Sequence, residues 1–117
     1  NQAGWDAAEA LLKLKRLPSA VFCANDEMAI GLLAHFQERG VSVPHEVSVL
    51  GYDDSPSAEF AAPRLTSVHI PNHEVTLAGL NWLLNRCYGQ ALPVSRQFDI
   101  SVTWRASVAA PPSRKRG

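Results

Sequence analysis

Pro18-Ser19-Ala20-Val21-Phe22-Cys23-Ala24-Asn25-Asp26-Glu27-Met28-Ala29-Ile30-Gly31 sets a helix breaker, a five-residue apolar run and two polar capping residues in immediate succession. The run from Ala20 to Ala24 is too short for a helix and is bounded by breakers, so it reads as a buried strand. Asp26 reads as the N-cap of a helix running to about Arg39, with Ile30, Leu33, Ala34 and Phe36 on its buried face. Gly40 ends that helix in the left-handed conformation. Strand, polar turn and helix in this order form the repeating unit of a sheet whose strands run parallel.

The flanking sequence repeats the unit. Upstream, Trp5 to Leu17 places Ala8, Leu11, Leu12 and Leu14 on one helical face, with Lys13, Lys15 and Arg16 near the C-terminal end, where the dipole favours cations. Downstream, Pro44 breaks the chain and Val47 to Leu50 reads as a second apolar strand, left through the turn Gly51-Tyr52-Asp53-Asp54. Ser55 to Ala62 reads as a short helix with Ser55 capping and Pro56 first inside. Leu65 to Ile70 is a third strand, and Pro71 opens a helix to about Tyr88 whose core side would carry Val75, Ala78, Leu83, Leu84 and Cys87. Gly89 closes it. Gln97 to Arg105 reads as extended, with Phe98, Ile100, Val102 and Trp104 spaced by two. The order α-β-α-β-α-β-α-β predicts an α/β fold, a parallel sheet in a three-layer α/β/α arrangement. The chain opens inside a helix, as a piece of a longer protein would.

Of the 117 residues, 46% are hydrophobic and 19% charged, an ordinary globular balance. Eleven basic side chains match eleven acidic ones, which leaves no electrostatic footprint for holding phosphates. No apolar stretch approaches the ~20 residues that span a bilayer, and no basic start followed by an apolar block marks a signal peptide in residues 1–20. Arg114, Lys115 and Arg116 follow Pro111 and Pro112, so 111–117 reads as a solvated, disordered basic tail. Cys23 and Cys87 lack metal-type spacing and read as buried free thiols, suited to a reducing cytoplasm.

Open α/β sheets bind ligands beyond the carboxyl ends of their strands. Asn25 and Asp26 follow the first strand, Asp53 and Asp54 the second. If the two strands are neighbours, Asn25 and Asp53 face one crevice. An amide both donates and accepts and a carboxylate accepts from two hydroxyls, which suits a neutral polyol. The same residue types also serve as caps and turns at such junctions; capping is preferred for Asp26 and a ligand role for Asp53. Other chemistry finds little support. His69 and His73 are separated by Pro71 and have no third ligand, so no metal is expected. No G-x-S-x-G elbow surrounds Ser48, Ser55, Ser57 or Ser67, and no Gly-rich phosphate loop is present, so neither an enzyme nor a cofactor is expected. Trp5, Trp82 and Trp104 read as packing residues.

Three runs resemble one family. The stretch from Pro18 to Gly31 is similar to the LacI/GalR pattern P-[ST]-A-[VI]-F-x-x-N-D-x-M-A-x-G. Gly40 to Pro44 with Glu46 to Asp54 is similar to G-[IV]-x-[IV]-P-x-[DE]-[IV]-S-[VI]-[IV]-G-[FY]-D-[DN]. Pro63 to Val68 resembles P-x-L-T-[ST]-[VI], and Arg105-Ala106-Ser107 a terminal R-x-S. The resemblance reaches to about residue 110 and implies the fold of type I periplasmic binding proteins, with residues 1–110 as the C-terminal subdomain of an effector-binding and dimerisation domain. It implies a sugar or related metabolite as effector, with Asn25 and Asp53 as ligands, and a homodimer paired through Ile30 and Phe60. DNA would be bound only through a helix-turn-helix head outside this chain, in a cytoplasmic regulator without membrane contact. A periplasmic sugar-binding protein of an uptake system is the alternative; the free cysteines and the N-D-x-M-A-x-G and G-Y-D-D runs favour the regulator.

Overall fold

The structure, a computed structural model, describes residues 2–111. The basic tail at 114–116 lies outside them. The chain divides into two compact units, Asn1–His69 with Val102–Gly117, and Ile70–Ser101.

In the larger unit α1 (Gln2–Leu12), β1 (Ala20–Phe22), α2 (Asp26–Glu38), β2 (Ser48–Asp53), α3 (Pro56–Phe60) and β3 (Thr66–His69) follow one another, and β4 (Ser101–Thr103) is the strand by which the chain comes back. The sheet order is β1-β2-β3-β4. β1 pairs parallel with β2, Val21 opposite Val49, and β2 pairs parallel with β3, Gly51 opposite Ser67. The expected strand–helix–strand connections are therefore present, with α2 and α3 as the crossovers.

The core joins α1, α2 and the inner face of the sheet through Ala8, Leu32, Phe36, Val47, Val49 and Leu65, all essentially inaccessible. Gly4 and Ala8 are small and one helical turn apart, which lets α1 lie close on α2; a Cβ at Gly4 would overlap the Met28 carbonyl. Trp5 packs edge-on against buried His35, ring centroids 4.5 Å apart, as its packing assignment anticipates. α1 stops at Leu12, short of the expected Leu17, because its last turn tightens: Lys13 N–H reaches Ala10 O and Leu14 N–H reaches Leu11 O. Leu14, expected inside, is exposed. On α2 the buried arc is Ala29, Leu32, Leu33 and Phe36, while Ile30 is half-buried and Ala34 exposed, contrary to expectation. The helix is covered by α1 as well as by the sheet, which turns the arc away from Ala34. Gly40 takes φ 72° and Val41 N–H closes back on Phe36 O, as a left-handed stop requires. α3 is shorter than expected and the Ser55 hydroxyl makes no capping bond.

The smaller unit is α4 (Asn72–Tyr88) and the chain that returns along it. Gly89 closes the helix at φ 63°. Asn85 holds Leu92 at both backbone groups (2.8 and 2.9 Å), and Asn81 Nδ2 donates to Pro93 O at 2.9 Å. Among the core positions expected on α4 only Ala78 is buried; Val75, Leu83 and Cys87 are exposed and Leu84 is half-buried. Periodicity located an apolar face, but the returning segment covers only a narrow part of it. The last strand spans Ser101–Thr103, shorter than the expected Gln97–Arg105. The helices of this chain include none long and apolar enough to cross a membrane among the described residues.

Candidate functional site

Because β1 and β2 are parallel neighbours, Asn25, three residues past the end of β1, and Asp53, the last residue of β2, both lie at the carboxyl ends of adjacent strands. The two positions differ in how the fold uses them. Asn25 is the N-cap of α2: its backbone is extended and its Oδ1 accepts from Met28 N–H at 2.8 Å. Asp26, expected to be that cap, is instead the first helical residue, with its carboxylate turned into the interior and 1% exposed. Its Oδ2 accepts from Ser55 N–H at 2.6 Å and its Oδ1 from the Ser67 hydroxyl. Gly51 makes the space for it, since a Cβ there would overlap Oδ1. One buried carboxylate thereby fastens the turn after β1 to the turn after β2 and to β3.

Asp53 and Asp54 both have positive φ, 106° and 52°. For residues with a Cβ such conformations cost on the order of 1–3 kcal/mol each and persist only where neighbours enforce them. The enforcement is visible at Asp54. Its N–H donates to Ser67 Oγ at 3.1 Å, and its carboxylate accepts from Thr103 Oγ1 at 2.8 Å, Arg105 Nη2 at 2.8 Å and His69 Nδ1 at 3.0 Å. Burial pushes the Asp54 carboxyl upward, but the bonds from Thr103, Arg105 and His69 and the Arg105 charge outweigh it and hold the group below the usual carboxylate range. Asp53 is the opposite case. It is exposed, and among the described residues its carboxylate has no hydrogen-bond partner.

The R-x-S run supplies the frame beneath. Arg105 Nη1 donates to Leu65 O at 2.7 Å, and Arg105 N–H to Thr66 Oγ1 at 2.9 Å. Fully buried Ser107 donates to Val49 O at 2.6 Å and accepts from Thr66 N–H at 2.8 Å, bridging β2 and β3. Sequence reasoning noted the run but assigned it no contact, and it missed Asp26 and Ser67 as the inner support.

It also misplaced two aromatics. Phe22, expected inside the first strand, is 61% exposed and meets Tyr52 of β2 edge-on at 6.3 Å. Alternation explains this: Val21 and Val49 face the helices, whereas Phe22, Leu50 and Tyr52 face the other way. On that side Phe22, Leu50, Val102 and Trp104 help line a groove of about 310 Å³. Trp104 is 72% exposed and, like exposed Trp82, is not the packing residue expected. Cys23, on the helical side, is buried, and burial together with the Asp26 charge pushes its thiol to about 11. Phe60 ends α3 almost fully exposed, while Ile30 packs partly against the core.

The description "periplasmic binding protein-like domain" matches residues 1–108. The chain is 38% identical over 110 residues to an HTH-type transcriptional repressor PurR of Actinobacillus pleuropneumoniae, covering 92% of this chain and 33% of the repressor. It is 42% identical over 80 residues to the repressor of the same name from Vibrio atlanticus, covering 68% of this chain and 24% of that protein. Among solved structures it resembles a LacI-family transcriptional regulator from Burkholderia phymatum, with TM-score 0.84 and 51% identity over 93% of this chain and 40% of that one. A LacI-family regulator from Lactobacillus casei with bound sucrose gives TM-score 0.80 and 33% identity over 90% of this chain and 39% of the other. The chain thus spans a quarter to a third of the curated relatives it matches. These relatives are regulators rather than uptake receptors, the first of the two readings of the sequence. With the parallel pairing of β1, β2 and β3, the motif runs and these relatives in agreement, the chain belongs to the periplasmic-binding-protein-like domain family, in the company of the LacI-type transcription regulators.

Proposed function

We propose that this chain senses a small polar effector at the carboxyl ends of β1 and β2, with Asp53 as the principal acceptor and Asn25 as a second contact through its amide. The observation that carries the reading is the contrast within the Asp53-Asp54 turn. Asp54 spends its carboxylate on three protein donors, while Asp53, also at positive φ, has its carboxylate exposed and unengaged among the described residues. A fold that sustains such a turn and leaves one carboxylate free presents an acceptor to something outside itself. Asn25 keeps its Nδ2 donors after its Oδ1 has capped α2. The sucrose-bound Lactobacillus casei relative supports a polyhydroxylated effector class.

In this reading the whole regulator is a cytoplasmic homodimer that pairs partly through Ile30 and the exposed Phe60, and it touches DNA only through a head outside these residues. Effector that binds one arrangement of the dimer more tightly than another shifts DNA affinity by the difference, commonly about 1–3 kcal/mol. Titration calorimetry of the full-length protein against a panel of mono- and disaccharides and nucleobases tests the site. Binding of one member that is lost in Asp53→Ala, with sedimentation unchanged, is the expected result. Undiminished binding in Asp53→Ala removes Asp53 from the site. Phe60→Asp should convert the dimer to monomer; a dimer that survives it dismisses the Phe60 contact.

A further inference from the structure

Asp54 joins more than its own turn. The larger unit gives up the chain after His69 and takes it back at Val102. One oxygen of Asp54, Oδ2, accepts both from His69 Nδ1, on the last residue before the chain leaves, and from Thr103 Oγ1, on the second residue after it returns. The other oxygen, Oδ1, takes Arg105 Nη2, two residues further along the same returning segment. These partners are 15, 49 and 51 positions from Asp54 in sequence. The carboxylate is mostly buried, its side chain 13% accessible, so the bonds from Thr103 and Arg105 are partly sheltered from competing water while the one from His69 is exposed. Asp54 N–H is in turn fixed by Ser67 Oγ, whose hydroxyl proton goes to Asp26. Every polar group of Asp54 that meets a side chain is therefore committed, and the residue preceding it is Asp53.

We infer that Asp54 is a positioning residue whose single carboxylate couples the two strand ends by which the chain leaves and re-enters its larger unit, and couples both to the Asp53 turn. A displacement of the turn then acts on the departing and the returning strand together, because both hydrogen bonds end on one atom. That a ligand provides the displacement rests on the effector reading of Asp53; the link between the strand ends does not.

Amide hydrogen exchange of the full-length protein, read by mass spectrometry without ligand, tests the coupling. Thr103→Val removes a bond only from the returning strand. Exchange should nonetheless rise several-fold in residues 66–71 as well as in 101–106, with amides 29–36 of α2 unchanged. In an Asp54→Ala background, where both strand ends are already released, the same Thr103→Val change should add nothing at 66–71. β3 and β4 are sheet neighbours, so direct transmission is the rival account; it predicts the same rise at 66–71 whether or not Asp54 is present, and that result overturns the inference. So does a rise confined to 101–106. Should Asp54→Ala fail to fold, Asp54→Leu, which keeps the side-chain bulk but offers no acceptor to Thr103, Arg105 or His69, takes its place with the same two readings. Sugar or nucleobase binding retained in Asp53→Ala would sink the effector reading and leave this coupling standing, whereas absent cross-talk with an Asp53-dependent response sinks the coupling alone.

Discussion

The carboxylate of Asp26 fills the space in which a side chain on Gly51 would have to sit. The two residues lie on different elements, α2 and β2, and the gap between them has room for only one of two things, a methyl group or an anion with its two hydrogen bonds. Gly51→Ala should therefore cost more than ordinary overpacking in a core, towards the upper end of about 1–3 kcal/mol. The displaced atom is a buried charged acceptor rather than a pliable methyl. A urea titration reads this as a lower midpoint at unchanged slope; an unmoved midpoint would mean that Asp26 swings aside freely and does not fasten the two turns.

Ser107 stands between β2 and β3 in place of a direct backbone bond. Ser107→Ala leaves Thr66 N–H without its acceptor in a dry environment. The loss should be about 1–3 kcal/mol, the usual penalty for an orphaned buried donor. Chemical denaturation of Ser107→Ala checks the size, and Ser101→Ala, on an exposed strand position, should change almost nothing by comparison.

Acid should weaken the Asp54 cluster in a particular window. The folded Asp54 carboxyl lies below its ordinary value of about 3.9. Its contribution is therefore complete above the unfolded value and disappears as pH falls through the lower, folded one. Stability measured from pH 7 down to pH 2 should fall on the acid limb, and Asp54→Asn should flatten that limb while lowering the plateau at neutral pH. An identical acid limb in Asp54→Asn would mean that other carboxylates carry it.

Cys23 and Cys87 should part company towards an alkylating agent. With its thiol near 11, Cys23 is about a thousandth thiolate at pH 8 and is buried besides, whereas Cys87 is exposed. Iodoacetamide on the native chain should label Cys87 first, and Cys23 only after denaturant is added. Peptide mapping that finds Cys23 modified in native buffer would show that β1 opens readily.

What could be read in the sequence and what could not divides along a physical line. Breakers such as Pro18, Gly40 and Gly89 act within a few residues, so the ends of α2 and α4 and the order of elements were legible. Asn25 and Asp26 are equally good capping residues, and only the backbone conformation assigns the cap to Asn25 and turns Asp26 inward. Periodicity tells which face is apolar and not what will cover it. Leu14, Ala34, Val75 and Leu83 were therefore placed inside and are exposed. That the strands before Asn25 and at Asp53 are neighbours followed from the order of elements and holds, although Asp53 ends β2 itself rather than beginning the turn after it. The frame behind them, from Asp26 to Ser67 and from Asp54 to Thr103 and Arg105, is built from bonds spanning about forty residues or more, and no local pattern announces it.

The exposed aromatic side chains have a practical sequel. Phe22 and Trp104 are exposed in the larger unit, and Leu80, Trp82 and Tyr88 on α4. Exposed apolar side chains of this size promote self-association in water. Expressed by themselves, these 117 residues will favour aggregates as concentration rises. A solubilising fusion is the sounder material for purification and crystallisation.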